Sequence, residues 1–421
     1  MLVVMRDGSS EAEIDAVRRR AGDAGLETNV VNGSRRTVIC VGDGVLPAIT
    51  GLLSDLPGVE QVLERPIASP PPTHNLRIKS IRPLLPPAIL VEQLPLPAES
   101  ALTVSRARDE IIRILRGDDD RLVVVVGPCS IHDPEAALEY GRRLRGLADE
   151  LAAELRIVMR VYFEKPRTTV GWEGLITDPH LDGSHAVNEG LQLARRLLID
   201  LAGLGLPAGC EFLDPISPQF FADAVSWAAI GARTAESQVH RHLASGLSMP
   251  VGFKNGTGGG IQLAIDAVCA ASAPHSFLGV TEQGLAGIVA TRGNPDCHII
   301  LRGGRSGTNF DGANVQRTLA ALRKAGLPGR LMIDASHDNS GKDYRRQPIV
   351  ARAVAEQIAA GEPGIIGVLL ESFLVEGKQA PAERSRIVYG QSITDSCMSW
   401  EMTAPVLREL AAAVRARRQS R

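Results

Sequence analysis

The chain has 421 residues, of which 44% are hydrophobic and 22% charged, a composition typical of a globular protein with a large core. Its 46 Lys and Arg residues nearly balance 48 Asp and Glu residues, so the charge does not indicate a nucleic-acid or membrane-surface partner. No stretch approaches the roughly 18 uninterrupted apolar residues of a membrane span. The six cysteines are scattered without a CxxC pair. We therefore expect a cytoplasmic protein with reduced thiols.

Residues 1–66 have the pattern of a small domain of their own. Strands are predicted over LVVM, LETNVV, RTVICVG and Glu60–Glu64, with one helix capped by Ser9 or Ser10 and a second over Leu46–Leu56. The order β-α-β-β-α-β is that of the ferredoxin-like fold. Because the segment contains no cluster of titratable residues, we interpret it as a regulatory or assembly domain.

Residues 67–98 are predicted to be a proline-rich linker and N-terminal extension. The stretch IASPPPT has three consecutive prolines, which remove backbone donors and keep the chain extended. The following NLRIKSIRPLLPPAILVEQLPLP is apolar and interrupted by prolines, so it cannot form a long helix. We expect it to lie against its own domain or a neighbouring subunit.

Residues 99–421 alternate between predicted strands and helices. After a helix over Glu99–Arg116, eight apolar strands are predicted near 122–127, 156–161, 209–213, 227–231, 250–254, 297–302, 330–335 and 364–371. Helices are predicted over Pro134–Leu151, Asn188–Ala202, Phe220–Trp227, Ile261–Ser272, Ala313–Ala325, Ile349–Ala360 and Ala404–Arg418, and an inserted hairpin over 276–296. Eight strands alternating with helices predict an α/β protein with a (β/α)8 barrel.

Each predicted strand ends in a residue that can carry chemistry. In barrel enzymes the reacting groups lie at the C-terminal ends of the strands, whereas random surface charge would fall on the helices and on both rims. The eight ends carry, in order, Cys129, Arg160, Glu211, Arg233, Lys254, Arg302, His337 and Glu371. The pattern predicts one functional site at this end of the barrel.

Six cations are expected to share that site. Guanidinium groups bind phosphates and carboxylates through paired hydrogen bonds, and burying so much positive charge without an anionic ligand would be costly. The six are Arg160, Lys165, Arg167, Arg233, Lys254 and Arg302. They predict a small substrate with several negative charges.

A thiol, an imidazole and two carboxylates form a second set, namely Cys129, His337, Glu371 and Asp395. Mixed sulfur, nitrogen and oxygen donors favour Mn²⁺, Fe²⁺, Co²⁺ or Zn²⁺ over Ca²⁺ or Mg²⁺. Each residue has a simpler alternative: His337 could cap a turn, Glu371 could pair with an arginine, and Asp395 could cap the segment after it. Their shared position at the strand ends predicts a divalent metal site.

Several long motifs resemble the type I 3-deoxy-D-arabino-heptulosonate 7-phosphate (DAHP) synthases. They are GPCSIHDP, RVYFEKPRTTVGWEG, GCEFLDPISPQ, GARTAESQVHRHLASGLSMPVGFKNGT, CHIILRGG, IDASHDNS, GVLLESFLVEG and YGQSITDSC. They follow the family order, and the resemblance covers about Asn75 to the C-terminus. Two features depart from the pattern: Gly258 stands where the family usually has aspartate, and residues 1–66 resemble the ferredoxin-like regulatory domain of a different branch.

The resemblance implies roles for individual residues. Cys129, His337, Glu371 and Asp395 would be the metal ligands. Phosphoenolpyruvate would be held at its carboxylate by Arg160, Lys165 and Lys254 and at its phosphate by Arg233 and Arg302, with Glu211 reaching it through water. Arg167 and Thr168 would bind the phosphate of erythrose 4-phosphate, and Asp334 would lie near its hydroxyls. Lys165 or His337 could donate the proton to the new alkoxide.

The resemblance also implies regulation and assembly. An aromatic amino acid is the expected effector, and a homotetramer or homodimer is the expected assembly. The feedback pocket of the family would correspond to Pro218, Gln219, Leu243, Leu247, Ser248, Phe277 and Val289, for which simple packing is the alternative. Whether residues 1–66 or this pocket senses the effector is left open by the sequence.

Three other functions compete with this interpretation. A 3-deoxy-octulosonate 8-phosphate synthase, which uses arabinose 5-phosphate, has a different sequence where this chain has KPRTT. A Schiff-base aldolase with Lys254 as nucleophile would leave the Cys-His-Glu-Asp set without a role. A catalytically silent barrel acting as a regulatory or scaffolding subunit is disfavoured because none of the expected site residues is missing.

Overall fold

The computed structural model describes residues 1–33, 36–42, 47–63, 73–167 and 171–420. It divides the chain into two compact units, Met1–Arg82 and Pro83–Arg421. Most of the predicted linker IASPPPT lies outside the described residues, which include only its last residue, Thr73. In the described part of the chain, no helix is both long and apolar enough to cross a membrane.

The first unit has the predicted ferredoxin-like fold. Its elements are β1 (Leu2–Met5), α1 (Glu11–Asp23), β2 (Thr28–Asn32), β3 (Thr37–Val41), α2 (Pro47–Ser54) and β4 (Val59–Leu63). Within the described residues the strands form a four-stranded sheet in the order β2-β3-β1-β4. All three neighbouring pairs are antiparallel. The helical crossovers α1 and α2 each connect two strands that run parallel but are not neighbours in the sheet.

Local sequence explains how this unit begins. Ser10, one of the two predicted caps, accepts a hydrogen bond from the backbone N–H of Glu13, whose carboxylate accepts one from the backbone of Ser10. This reciprocal capping box satisfies backbone donors that the first helical turn leaves open. In β1 the side chains of Val3 and Met5 are buried with Val17 of α1, as the two-residue period of a strand requires.

The second unit contains the predicted barrel. Its strands are β5 (Leu122–Gly127), β6 (Leu155–Arg160), β7 (Ala208–Glu211), β8 (Trp227–Ile230), β9 (Val251–Lys254), β12 (Cys297–Leu301), β13 (Leu331–Asp334) and β14 (Ile365–Glu371). In the described residues these strands close into one barrel, and all neighbouring pairs are parallel. Between β9 and β12 the inserted strands β10 (Ser276–Val280) and β11 (Ala286–Ala290) form the predicted hairpin.

Helices precede the barrel and connect its strands. They are α3 (Pro87–Gln93), α4 (Ala98–Arg116), α5 (Pro134–Glu150), α6 (Val187–Gly203), α7 (Pro218–Phe221), α8 (Gln238–Gly246), α9 (Gln262–Ala271), α10 (Gly312–Lys324), α11 (Gln347–Ala359) and α12 (Trp400–Gln419). After β14, the short strands β15 (Val375–Lys378) and β16 (Gln391–Ser392) pair with each other.

One predicted helix is wrong. The segment Phe220–Trp227 was expected to be helical, but α7 ends at Phe221 and a 3-10 turn follows over Ala222–Ala224. The backbone N–H of Ser226 then donates to the carbonyl of Ala208 in β7. Pairing with the neighbouring strand therefore draws this segment into the sheet before a longer helix can form, because sheet pairing overrides local propensity.

The barrel interior follows from strict alternation. In β5 the side chains of Val123 and Val125 belong to the interior cluster with Trp227, whereas Val124 packs outward into the layer under the helices. Parallel strands are buried on both faces, which is why β5 is continuously apolar. The end of α4 contributes Ile111 and its neighbours Ile114 and Leu115 to the same interior cluster, so this helix helps to close the base of the barrel.

Buried His298 is expected to make the stability of the barrel depend on pH. Trp227 Nε1 donates a hydrogen bond to His298 Nε2 at 3.2 Å, which requires a neutral imidazole. Burial lowers the pKa of His298 from 6.5 to about 4. Between these values the unfolded chain binds a proton that the folded chain does not. The free energy of unfolding is therefore expected to fall as the pH drops from 6.5 towards 4.

We expect this loss to reach about 3 kcal/mol at the acid end of that range. It should disappear in His298→Gln, whose amide accepts the indole hydrogen bond without titrating. Urea unfolding across the range measures the effect, and His180→Gln is the matched control because its side chain is 40% exposed. A pH slope that is the same in His298→Gln and in the unchanged protein would contradict the prediction.

Candidate active site

A cavity of about 250 Å³ opens at the C-terminal ends of the barrel strands. All six cations predicted from the sequence line it: Arg160, Lys165, Arg167, Arg233, Lys254 and Arg302. Glu211, His337 and Asp395 also line the cavity, as does Lys342, which sequence analysis did not single out. The strand-end pattern therefore identified one shared cavity rather than scattered surface charge.

Arg160 is fixed at the base of this cavity. Its guanidinium donates to the carbonyl of Pro128 and, through Nη2, to the carbonyl of Cys129 and to Glu371 Oε1 at 3.0 Å. The carbon of the guanidinium also lies 3.5 Å from the centroid of the Tyr162 ring, a cation–π arrangement. Only 2% of the Arg160 side chain is exposed. The arginine is thus held in one orientation before any ligand arrives.

Two lysines of the cavity are each paired with a carboxylate. Lys165 Nζ lies 2.9 Å from Asp395 Oδ2, and Lys254 Nζ lies 3.3 Å from Asp334 Oδ2. Burial raises the pKa of Asp334, but His337 and Lys254 outweigh that effect and hold the pKa well below its ordinary value. The cations are therefore balanced internally, which lowers the cost of keeping them buried.

Three of the four predicted metal ligands come together. Among the described residues, donor atoms of Cys129, Glu371 and Asp395 lie within 4.8 Å of one another. Lys165 Nζ lies 2.6 Å from the Cys129 sulfur, so a positive charge already contacts this donor set. Burial and the nearby Glu371 raise the pKa of the Cys129 thiol. A divalent cation bound to the sulfur would instead lower the pKa of the thiol, because a coordinating thiol loses its proton.

The fourth predicted ligand, His337, adjoins this group without being part of it. Its Nε2 lies 3.8 Å from Glu371 Oε1, while its Nδ1 lies 2.8 Å from Asp334 Oδ2. Asp334 thus orients the ring with Nε2 towards Glu371, the arrangement by which carboxylates orient metal-binding histidines. His337 also adopts a left-handed backbone conformation with φ of 47°, which costs energy for a non-glycine residue and is frequent at functional sites.

The donor set fits a divalent first-row metal. Thiolate, imidazole and carboxylate donors are those that such ions select. Their convergence around a positive charge shows that the surroundings favour a cation.

The remaining predicted substrate residues that the structure describes differ in position and exposure. Glu211 is 8% exposed and lines the cavity. Arg167 is exposed, and its Nε donates to the carbonyl of Trp172 at 2.8 Å. Thr168 lies outside the described residues. Asp334 is fully buried behind the cavity, where its Oδ1 accepts a hydrogen bond from Ser336.

Three buried asparagines hold the loops that present these side chains, and sequence analysis missed them. Asn255 Oδ1 accepts from the backbone N–H of Arg302 and from Asn309 Nδ2. Asn339 Nδ2 donates to the carbonyls of Leu301 and Asp334, and its Oδ1 accepts from the backbone of Asn309. The network joins the ends of β9, β12 and β13. Asn255 and Asn339 lie inside two of the strand-end motifs, whereas Asn309 lies outside the motifs.

A second cavity of about 800 Å³ lies away from the strand ends. It is lined mainly by α3, α4 and α7, with Arg108, Glu92 and Asp223 among apolar side chains. Three of the predicted feedback residues line it, namely Pro218, Gln219 and Ser248. The other four do not: Leu243 and Leu247 belong to α8 and its C-cap, and Phe277 faces Val289 across the hairpin.

The fold and the first cavity define the class of protein. It is a (β/α)8-barrel enzyme whose strand-end cavity is lined by six cations and borders a group of side chains that could hold a metal ion. Residues 96–408 match the family model of the DAHP synthetase I family, and residues 1–64 match the DAHP synthase ferredoxin-like domain. The chain belongs to the DAHP synthetase I family.

Relatives agree with this assignment. The Phe-sensitive phospho-2-dehydro-3-deoxyheptonate aldolase of Escherichia coli strain K12 is 59% identical over 344 residues, 82% of this chain and 98% of that protein. The tyrosine-inhibited aldolase of Schizosaccharomyces pombe is 53% identical over 348 residues, 82% of this chain and 94% of that protein. A solved structure of the Francisella tularensis aldolase is 50% identical with a TM-score of 0.79 and covers 81% of this chain and 99% of its own.

Proposed function

We propose that this protein is a metal-dependent DAHP synthase. It condenses phosphoenolpyruvate with erythrose 4-phosphate and releases phosphate, the first step of the shikimate pathway to aromatic amino acids. One observation carries the proposal beyond family membership: six cationic side chains line one barrel cavity that also borders the Cys129, Glu371 and Asp395 group. A substrate pair with two phosphates and a carboxylate matches that charge.

Phosphoenolpyruvate binds with its two anionic groups at different cations. Arg160, Lys165 and Lys254 hold the carboxylate at the base of the cavity. Arg233 and Arg302 hold the phosphate, and Glu211 positions a water molecule. The fixed orientation of Arg160 supports this arrangement, because a preorganised cation loses little entropy when the ligand binds.

Erythrose 4-phosphate binds nearer the rim. The exposed Arg167, together with Thr168, holds its phosphate. Asp334 is predicted to lie near its hydroxyls, and its contacts in the structure add a second role, namely to orient His337 and Lys254. Charged groups at both ends of the cavity align the two substrates for reaction.

Cys129, His337, Glu371 and Asp395 would hold the divalent ion, for which Mn²⁺, Fe²⁺, Co²⁺ and Zn²⁺ are the candidates. When bound, the ion supplies Lewis acidity towards the aldehyde oxygen of erythrose 4-phosphate. Lys165 contacts two of these ligands, Cys129 and Asp395. Its ammonium group can therefore interact both with the metal ligands and with the substrate carboxylate.

The chain's own residues then guide bond formation. C3 of phosphoenolpyruvate attacks the aldehyde carbon, and Lys165 or His337 donates a proton to the oxygen that becomes an alkoxide. Water positioned by Glu211 adds to C2. The resulting hemiketal phosphate loses inorganic phosphate by cleavage of the C–O bond. The surrounding cations stabilise the negative charge throughout.

Release of inorganic phosphate tests the proposed reaction. The full-length protein with Mn²⁺ should release one phosphate per phosphoenolpyruvate consumed when erythrose 4-phosphate is present. It should release none with phosphoenolpyruvate alone and little with arabinose 5-phosphate. Equal release with arabinose 5-phosphate would point to the octulosonate synthase reaction, and trapping of Lys254 by borohydride would point to a Schiff-base aldolase.

An aromatic amino acid is the proposed effector, bound in the second cavity. The names of two relatives record sensitivity to phenylalanine or tyrosine. Their alignments leave about a fifth of this chain unmatched, so we propose that the sensor is the barrel unit. The cavity supports this because it combines an apolar lining with charged groups of both signs, which suits a zwitterion with an apolar side chain.

Filling that cavity should remove inhibition. In Ala101→Trp a bulky ring would occupy the space between α3 and α4, so we expect inhibition by phenylalanine or tyrosine to weaken at least about tenfold with little change in uninhibited rate. Leu102→Trp is the control, since Leu102 is 53% exposed on the same helix. Inhibition that survives Ala101→Trp but is lost on deleting residues 1–66 would place the sensor in the ferredoxin-like domain instead.

Self-association and location complete the proposal. The outer face of the hairpin is apolar, with Leu278 88% and Ile288 81% exposed directly opposite each other. Exposed apolar surface of this kind favours a protein interface, so we propose that the hairpin contributes to a homodimer or homotetramer. The six cysteines are all free in the structure, which favours the cytoplasm. Light scattering of Leu278→Lys compared with the unchanged protein tests the assembly.

A further inference from the structure

Asp338 is a carboxylate that pairs with Arg302, one of the residues lining the cavity, and sequence analysis gave it no role. Its Oδ2 pairs with Nη1 of Arg302. Three other carboxylates also pair with cavity cations, but Glu371 and Asp395 belong to the predicted metal ligands and Asp334 orients His337. Asp338 has no contact of that kind among the described residues, so its pairing with Arg302 needs an explanation of its own.

The Arg302 guanidinium depends on this one carboxylate. Its backbone is fixed by the N–H bond to Asn255 and by the bond that its carbonyl accepts from Asn339. In the part of the chain that the structure describes, the guanidinium has no partner except Asp338, and its Nε is buried without one. The Arg302 side chain is 7% exposed, whereas that of Asp338 is 26% exposed. Asp338 is therefore the more exposed member of this pair.

We propose that Asp338 is a positioning residue that balances the charge of Arg302 and so sets how tightly the site holds phosphate. The inference rests on the proposed function, in which Arg302 binds the phosphate of phosphoenolpyruvate and remains next to the inorganic phosphate that the reaction releases. Asp338 keeps the guanidinium at the wall of the cavity. Its negative charge weakens the attraction between Arg302 and a phosphate dianion, which allows the product to leave.

Excess binding energy at the phosphate subsite would slow turnover. A cavity lined by several cations would hold inorganic phosphate and substrate phosphate with similar strength. Such uniform binding lowers KM without raising kcat, and it slows product release. A carboxylate on the phosphate-binding arginine reduces this excess affinity while preserving its geometry. The cations proposed to bind the substrate carboxylate are paired differently. Their carboxylate partners are predicted metal ligands or, in the case of Asp334, orient His337.

Asp338→Asn is the direct test, because asparagine keeps an oxygen that can accept the hydrogen bond but loses the charge. Isothermal titration of the full-length protein with inorganic phosphate should show about three- to tenfold tighter binding than in the unchanged protein. Titration with pyruvate, which has a carboxylate and no phosphate, should show no change. Product inhibition by phosphate should strengthen, and KM and kcat should fall together.

A double-mutant cycle shows whether the effect passes through Arg302. In an Arg302→Gln background, Asp338→Asn should no longer change phosphate affinity. Asp343→Asn is the matched control: Asp343 caps the turn over Tyr344–Arg346 in the same loop and should leave phosphate affinity unaltered. Asp338→Ser provides a second variant should the asparagine protein fold poorly, as judged by circular dichroism.

The outcomes separate this inference from the proposed function. Unchanged phosphate affinity in Asp338→Asn, or a change of equal size for pyruvate or in the Arg302→Gln background, would overturn the role of Asp338 even if turnover with erythrose 4-phosphate is normal. Absence of that turnover in the unchanged protein would overturn the proposed function. A phosphate effect confined to backgrounds with Arg302 would still support the coupling between Asp338 and Arg302.

Discussion

Replacing Cys129 by serine is expected to lower kcat by more than about 100-fold and to weaken divalent metal binding by at least as much. The cysteine lies just after the end of β5, and its sulfur is within 4.8 Å of donor atoms from both Glu371 and Asp395. A serine hydroxyl is a harder and less acidic donor than a thiol, so it is a poor substitute as an anionic ligand. Steady-state kinetics and isothermal titration with Co²⁺ measure the two effects.

The fold should survive this change, because the side chain is small and serine is nearly isosteric with cysteine. Cys269→Ser is the matched control, since Cys269 is exposed on α9 and should retain full activity and metal binding. A Cys129→Ser protein that binds Co²⁺ as tightly as the unchanged protein would remove the cysteine from the metal site. Near-normal turnover would remove it from the mechanism.

Arg160→Met is expected to destabilise the protein by about 3–5 kcal/mol and to abolish detectable turnover. The arginine and Glu371 are a buried pair with side chains 2% and 4% exposed, and methionine would leave Glu371 buried without its cation. The variant would also lose the bonds to the carbonyls of Pro128 and Cys129. Urea unfolding measures the stability, and a coupled phosphate assay measures the rate.

Two further variants test whether the buried charge of Arg160 causes the loss of stability. Arg160→Lys should recover part of the stability, because it restores the charge, but little of the rate, because an ammonium cannot form the same set of bonds. Arg408→Met removes an exposed pair with Glu150 and should cost less than about 1 kcal/mol. If Arg160→Met were no less stable than Arg408→Met, the buried pair of Arg160 and Glu371 would not contribute the expected free energy of unfolding.

The positions of the strands could be predicted from the sequence, because a buried parallel strand needs a short, continuous apolar run. The predicted strand over 122–127 coincides with β5 (Leu122–Gly127), and the others differ by one or two residues. The shared location of the strand-end residues could also be predicted, because the barrel topology places these ends on one rim. Four of the six cations in the cavity followed from that rule, and Lys165 and Arg167 lie just after the second predicted strand.

The orientation of side chains in the loops could not be predicted in the same way. Asp338 lies directly after His337 in the motif IDASHDNS, but nothing in the spacing shows that it turns towards Arg302. Likewise, the asparagine network depends on three loops that meet only in the folded barrel. Three of the seven residues that the resemblance assigned to a feedback pocket line the second cavity, which α3 and α4 also line. The proline-rich extension gave no signal of where α3 would pack.

The most direct test of the account is the metal dependence of phosphoenolpyruvate consumption, followed by its ultraviolet absorbance. With erythrose 4-phosphate present, the absorbance should fall. It should stop falling after treatment with EDTA and fall again once Mn²⁺ or another first-row divalent ion is added in excess. This result would support the substrates and the metal site together. Undiminished consumption after complete removal of metal, or no consumption with any of the four candidate ions, would contradict the account.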